Sequence, residues 1–357
     1  MSNIILPIID SHIHLYPSSE ISNLAWCAPS NPLHSQHSIA EYKEATKTSP
    51  SLLGFVFVET DRKHDLTAAD GWDGPLKEVA FLRRVALGQP KPDEGHTAED
   101  AKLCLGIIPW APIPSGPELL QKYLDKAKEE AGDAWSKIKG FRYLLQDKPA
   151  GIMTAPEFID SLKLLGKQGY VFEVGVDHHR QGRKQLDELL EMISKAHDGV
   201  PESEQVTFII SKSPQLVIPY TQLTLSDHLC KPDMTIYNLQ TDSSFLAWRT
   251  AIYALGKSNR TYMKLSGGFS EMPDSLRENT DSSQVFQSIF GWLGVVLATF
   301  GPSRIMFGSD WPVCTVGVED AWPRWKEIVE KMCWMASLED EDRAMIFGGT
   351  AKKAYNL

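Results

Sequence analysis

A closed barrel of eight parallel strands, each followed by a helix, is the fold the sequence predicts, as one domain over residues 1–357. Short apolar, β-branched runs alternate with amphipathic stretches from end to end, the pattern of repeated strand–helix units in a parallel sheet. The runs number eight, enough to close. No Gly-rich phosphate turn follows the first run, which argues against an open doubly wound sheet. Length is neutral, because (β/α)8 barrels of the TIM type run from about 200 to over 400 residues as one unit.

The expected strands are 4–9, 52–58, 103–110, 138–145, 169–176, 206–210, 261–265 and 304–308. Helical patterns fall between them at 75–87, 117–130, 156–165, 184–196, 245–255, 285–300 and 321–335. The chain shows no internal repeat, no low-complexity tract and no linker longer than the charged loop 88–100.

With 36 Lys plus Arg against 46 Asp plus Glu, the formal charge is −10, which argues against a nucleic-acid or anionic-membrane partner. Cys27, Cys104, Cys230, Cys314 and Cys333 are widely spaced with no C-x-x-C pair. Neither a disulfide framework nor a cysteine zinc site is indicated, and a reducing cytoplasm fits. Residues 1–10 lack a basic region and run straight into a polar motif, unlike a signal peptide. No run approaches the roughly 18 apolar residues of a membrane span.

The first strand leads into His12-Ile13-His14. Side chains alternate with period two, so both imidazoles face the same side, here the barrel interior at its carboxyl end, where they can share one divalent metal. At the last strand, Phe307-Gly308-Ser309-Asp310-Trp311-Pro312 delivers an acid to the same rim, able to bind metal or to take a proton from metal-bound water. Taken alone, Asp310 reads equally as a turn former. His228, in Ser226-Asp227-His228-Leu229-Cys230-Lys231-Pro232, and His179, in Asp177-His178-His179-Arg180, stand after the sixth and fifth runs and can complete the shell. His178 takes the opposite strand direction and is left out. Arg142, at the end of the fourth run, can hold substrate oxygens or make an internal salt bridge. Trp110, Trp26 and Trp311 can form an apolar floor for a sugar ring.

The His12-x-His14 pair, Asp227-His228, Gly308-Ser309-Asp310-Trp311-Pro312 and the closing Gly348-Gly349-Thr350-Ala351 together resemble the amidohydrolase superfamily, in particular the amidohydrolase-2 group. Phe57 to Arg62, Ile107 to Pro112 and Lys139 to Tyr143 look most like the fungal L-rhamnono-1,4-lactonases of rhamnose catabolism. The resemblance implies a metal-dependent hydrolase opening a sugar γ-lactone. It implies a divalent ion, most simply Zn²⁺, on His12, His14 and Asp310 with one or both of His179 and His228. Asp310 is then the general base, and His228 stabilises the oxyanion if it is not a ligand. Arg142, Trp110 and His179 contact a neutral small-molecule substrate. An oligomer is possible.

One feature departs from the group. Residues 212–226 separate the sixth strand from Asp227, and removing them restores a continuous Phe-Ile-Ile-Ser-Asp-His-Leu. The segment reads as a family insertion or as a translated intron, since Ser211-Lys212 can be encoded with a donor-like AGTAAG and Leu223-Thr224 with a branch-point CTAAC. The alternatives to a lactonase are therefore a decarboxylase on the same scaffold, with Arg142 holding the carboxylate, and a chain impaired by that segment.

Overall fold

A computed structural model describes residues 5–66, 71–210, 230, 234–236 and 239–357, with the backbone alone at 179 and 180. The insertion 212–226 and His228 lie outside the described residues.

Eight strands form: β1 Ile8–Ile13, β2 Leu52–Val58, β3 Cys104–Ile108, β4 Gly140–Leu144, β5 Val171–Gly175, β6 Thr207–Ile210, β7 Thr261–Leu265 and β8 Ile305–Phe307. All pair in parallel, as an arc of β1-β2-β3 and an arc of β4 through β8. Two seams join the arcs. At the first, Lys139 N–H donates to Ile107 O and Arg142 N–H to Pro109 O, both at 3.0 Å. At the second, Asp310 N–H donates to His12 O and His14 N–H to Trp311 O, both at 2.8 Å. The sheet is thus closed and presents no free edge, as a (β/α)8 barrel requires.

The long helices Asp73–Leu87, Pro117–Ala131, Pro156–Lys167, Arg183–His197, Ser243–Leu255, Ser282–Phe300 and Ala321–Met335 lie within three residues of the sequence expectation. Proline at the first helical position starts two of them, and the side chains of Asp242 and Asp281 cap two others. The helix Ile39–Thr46 was not expected: its eight residues carry too short an apolar stripe to stand out, and a capping box between Ser38 and Glu41 starts it.

Two expectations are corrected. The first strand is 8–13 rather than 4–9, because Pro7 offers no N–H to the ladder and pairing begins with Ile8 N–H on Ser51 O. The second concerns membrane-length apolar runs. Ser282–Phe300, at 19 residues, is long and apolar enough for a span by length and composition. In the fold its stripe of Val285, Ile289, Trp292, Leu293 and Val296 is core, packed against Ser243–Leu255 and Ala321–Met335.

Inside the barrel, Ile9, Val56, Ile108, Val171, Ile209, Tyr262 and Met306 form an apolar cluster with Ala351 and Tyr355, which come from the closing helix Thr350–Ala354 and its end. Alternation carries charged side chains into the same interior. Phe141 and Tyr143, Phe172 and Val174, and Met263 and Leu265 all join the outer core, so Arg142, Glu173 and Lys264 point inward.

Candidate metal centre

A bulge in β1 aims the two histidines. Asp10 pairs with Phe55 and Ile13 with Phe57, so three steps along β1 match two along β2. Ile9 faces the barrel interior and Ile13 the outer core. Strict alternation from Ile9 would send His12 and His14 outward with the helices; the one extra residue reverses the parity and turns both inward. Asp10, on the outward side of the bulge, accepts from Ser309 N–H at 2.8 Å, Trp322 Nε1–H at 2.8 Å and Tyr42 O–H at 3.0 Å, which fastens β1 to the segment after β8.

His14 Nδ1 lies 2.9 Å from Val58 O and 3.0 Å from Glu59 O. Carbonyls only accept, so Nδ1 carries the proton and Nε2 presents a lone pair to the interior. Burial drives the His14 pKa down to about 3 and holds His12 well below the usual histidine range, with the charge of Arg142 adding to the first and that of Lys264 to the second. Both rings are therefore neutral at neutral pH. The Nε2 atoms stand 3.2 Å apart, and Asp310 Oδ1 is 3.3 Å from that of His14 and 3.6 Å from that of His12. Asp310 reaches this point from a left-handed backbone, φ 63°, pinned by its N–H on His12 O.

The donor set fits a small divalent ion. Four ligands at about 2.0–2.1 Å from a tetrahedral centre lie roughly 3.3–3.4 Å from one another. The three edges here measure 3.2, 3.3 and 3.6 Å, and two neutral imidazoles with one carboxylate suit zinc and its neighbours.

Beneath this triangle lies an ion pair that sequence reasoning missed. Lys264 Nζ donates to Glu173 Oε1 at 2.7 Å; His12 Nδ1 is 3.1 Å from each of these atoms; Tyr355 O–H donates to Glu173 Oε2 at 2.9 Å. Burial lowers the Lys264 pKa to about 8 against the pull of Glu173. The available signal was a charge interrupting each apolar strand, Val-Phe-Glu-Val and Tyr-Met-Lys-Leu.

Arg142 is fully buried and points inward, and none of its three guanidinium nitrogens has a hydrogen bond among the described residues; Nε is 3.8 Å from Glu59 Oε1. Glu59, also missed, is pushed up to about 8 by burial, with Asp61 and Glu78 adding to the rise and Arg142 opposing it. An acid that stays protonated when folded and ionises at 4.5 when unfolded binds more protons in the native state, so stability falls as pH rises from about 4.5 to about 8. Glu59→Gln is expected to flatten that slope, read from urea midpoints across the interval. An unchanged slope would refute the assignment.

Other expected residues fall elsewhere. Trp110, expected as a floor for a sugar ring, is 1 % exposed and packs edge-on to Tyr123 under the ring of His64, in the layer between strands and helices. This is a core position, and it departs from simple alternation: Ile108, two residues earlier, faces the barrel interior, whereas Trp110, past the end of β3, joins the outer core. Trp26 donates its Nε1–H to Thr60 O, and Trp311 packs on Tyr42 and His37. His178 Nε2 lies 3.1 Å from Ser244 Oγ. The backbone of His179 lies in the short helix His178–Gln181, and its side chain is outside the described residues.

The chain is 32% identical to the L-rhamnono-gamma-lactonase of Scheffersomyces stipitis over 98% of both chains. It belongs to the amidohydrolase family. The family model, described as amidohydrolase, matches residues 225–357. The L-fucono-1,5-lactonase of Burkholderia multivorans is 28% identical over 78% of this amidohydrolase and 77% of its own length. In fold, the chain is similar to an amidohydrolase of Burkholderia multivorans crystallised with zinc, with a TM-score of 0.68, 22% identity, and coverage of 98% of this chain and 99% of that one.

Proposed function

We propose that the chain is a metal-dependent lactonase that opens a sugar γ-lactone, L-rhamnono-1,4-lactone to L-rhamnonate being the leading substrate. The observation that carries the chemistry is the tetrahedral spacing of His12 Nε2, His14 Nε2 and Asp310 Oδ1; the substrate class comes from the two lactonase relatives. A divalent ion held there, zinc in the simplest case and with His179 or His228 as a further ligand, would polarise the lactone carbonyl and acidify water. Asp310 accepts the proton of the attacking water and returns it to the ring oxygen as the tetrahedral intermediate opens. Arg142, whose guanidinium nitrogens have no hydrogen bond among the described residues, supplies N–H donors to the lactone oxygens, and a His228 that is not a ligand supports the oxyanion. We further take the chain as one domain, working in the cytoplasm on a neutral small molecule, with no nucleic-acid or membrane partner.

The test is base uptake during hydrolysis of L-rhamnono-1,4-lactone by zinc-loaded protein against chelator-treated protein and the spontaneous rate. Metal-dependent acceleration is expected. No acceleration, with CO₂ release from an aromatic acid instead, would favour the decarboxylase reading that Arg142 as a carboxylate anchor allows. Arg142→Met is expected to raise KM by about tenfold or more with a smaller change in kcat, measured by steady-state kinetics. A fall confined to kcat would contradict a binding role.

A further inference from the structure

We propose that Gln146 reads the hydroxyls of the substrate, its Nε2–H donating to one and its Oε1 accepting from another, so that the site prefers a hydroxylated lactone to a bare one. The inference rests on the lactonase reading above and concerns a residue to which that reading gives no task.

Gln146 stands two residues past the end of β4. It is 1 % exposed, about as buried as Arg142 and Asp310, and neither of its amide atoms has a hydrogen bond among the described residues. Buried side-chain polar atoms are nearly always bonded, so a donor and an acceptor left over on one amide mark a place that a ligand or water completes. The backbone there is tied down. Gln185, in the helix Arg183–His197, donates from Nε2 to Leu145 O at 3.0 Å and to Gln146 O at 3.3 Å, while its Oε1 accepts from Asp177 N–H, which joins the ends of β4 and β5.

Leu145 packs into the outer core and, with Lys148 and Gln185, lines a groove against that helix; Gln146 lines no part of the groove. Its amide thus lies on the side of Arg142, toward the mouth of the barrel. At the rise of a strand the step from Arg142 to Gln146 is at most about 13 Å. A lactone carbonyl or ring oxygen only accepts, which suits Arg142, a pure donor, and would leave Gln146 Oε1 unmet. Neighbouring hydroxyls offer both a donor and an acceptor and match the amide. The two residues then divide the substrate, Arg142 at its reacting end and Gln146 at its hydroxylated end.

The test is steady-state hydrolysis of L-rhamnono-1,4-lactone and of γ-valerolactone, a γ-lactone without hydroxyls, by zinc-loaded wild type and Gln146→Leu, with zinc content measured on each. The ratio of kcat/KM between the sugar lactone and γ-valerolactone is expected to fall by about tenfold or more in the variant, chiefly through a higher KM for the sugar lactone, with zinc retained. A parallel loss on both lactones overturns the proposal in favour of a structural role; an unchanged ratio overturns it in favour of a position filled by water. Where γ-valerolactone turns over too slowly to measure, KM for the sugar lactone decides, and an unchanged KM overturns the proposal. Gln146→Asn, which keeps the amide and draws it back by one carbon, serves if the first variant does not fold; a smaller rise in KM is expected, and no rise overturns. Zinc-loaded wild type that accelerates neither lactone overturns the lactonase reading itself.

Discussion

Asp310→Asn is expected to lower kcat on the lactone by about 10²-fold or more while zinc remains bound. The carboxylate sits 3.3 Å from His14 Nε2 on a backbone held in the left-handed region by a hydrogen bond to β1, so asparagine, which tolerates that region, takes the same place. What it lacks is basicity. The amide oxygen can still face a cation but does not take a proton from water. Parallel measurement of kcat and zinc content separates the two roles: lost turnover with retained zinc is the expected result, and unchanged turnover would end the proposal that Asp310 is the base.

Asp10→Ala is expected to destabilise the fold by about 3 kcal/mol or more. Four donors converge on this buried carboxylate, Ser309 N–H, Trp322 Nε1–H and Tyr42 O–H together with the His12 N–H at 3.4 Å, and each left without an acceptor costs about 1–3 kcal/mol. Tyr42→Phe removes one of those donors together with its need for an acceptor and should cost only about 1 kcal/mol. Urea unfolding of the two variants measures both. Equal, small losses would mean that the Asp10 cluster does not fasten the second seam.

The barrel was legible in the sequence because alternating apolar runs and amphipathic stretches have only a few ways to bury themselves. The meeting of His12, His14 and Asp310 was legible because it depends on strand ends, which the runs mark. The inward turn of the two histidines was reached by assuming simple alternation, whereas it depends on a bulge set by pairing with Phe55 and Phe57, far along the chain. No local pattern encodes that register. Glu173 and Lys264 were visible as charges in apolar strands, but only the closed barrel shows that they meet. Trp110 was misplaced because a residue just past a strand can lie on either side of the sheet, and its aromatic neighbours belong to the helix Pro117–Ala131 and to β4.

The second seam joins parts of the chain about as remote as it contains, Ser11 hydrogen-bonding to Phe307 across 296 positions. An ion gripping His12, His14 and Asp310 would act across that same junction as a removable cross-link, closing a very long loop at a point where the ordinary entropy of closure is large. Its binding energy would then be shared by the whole barrel. Thermal melting with a panel of divalent ions would therefore rank them by affinity, whether or not a substrate is known.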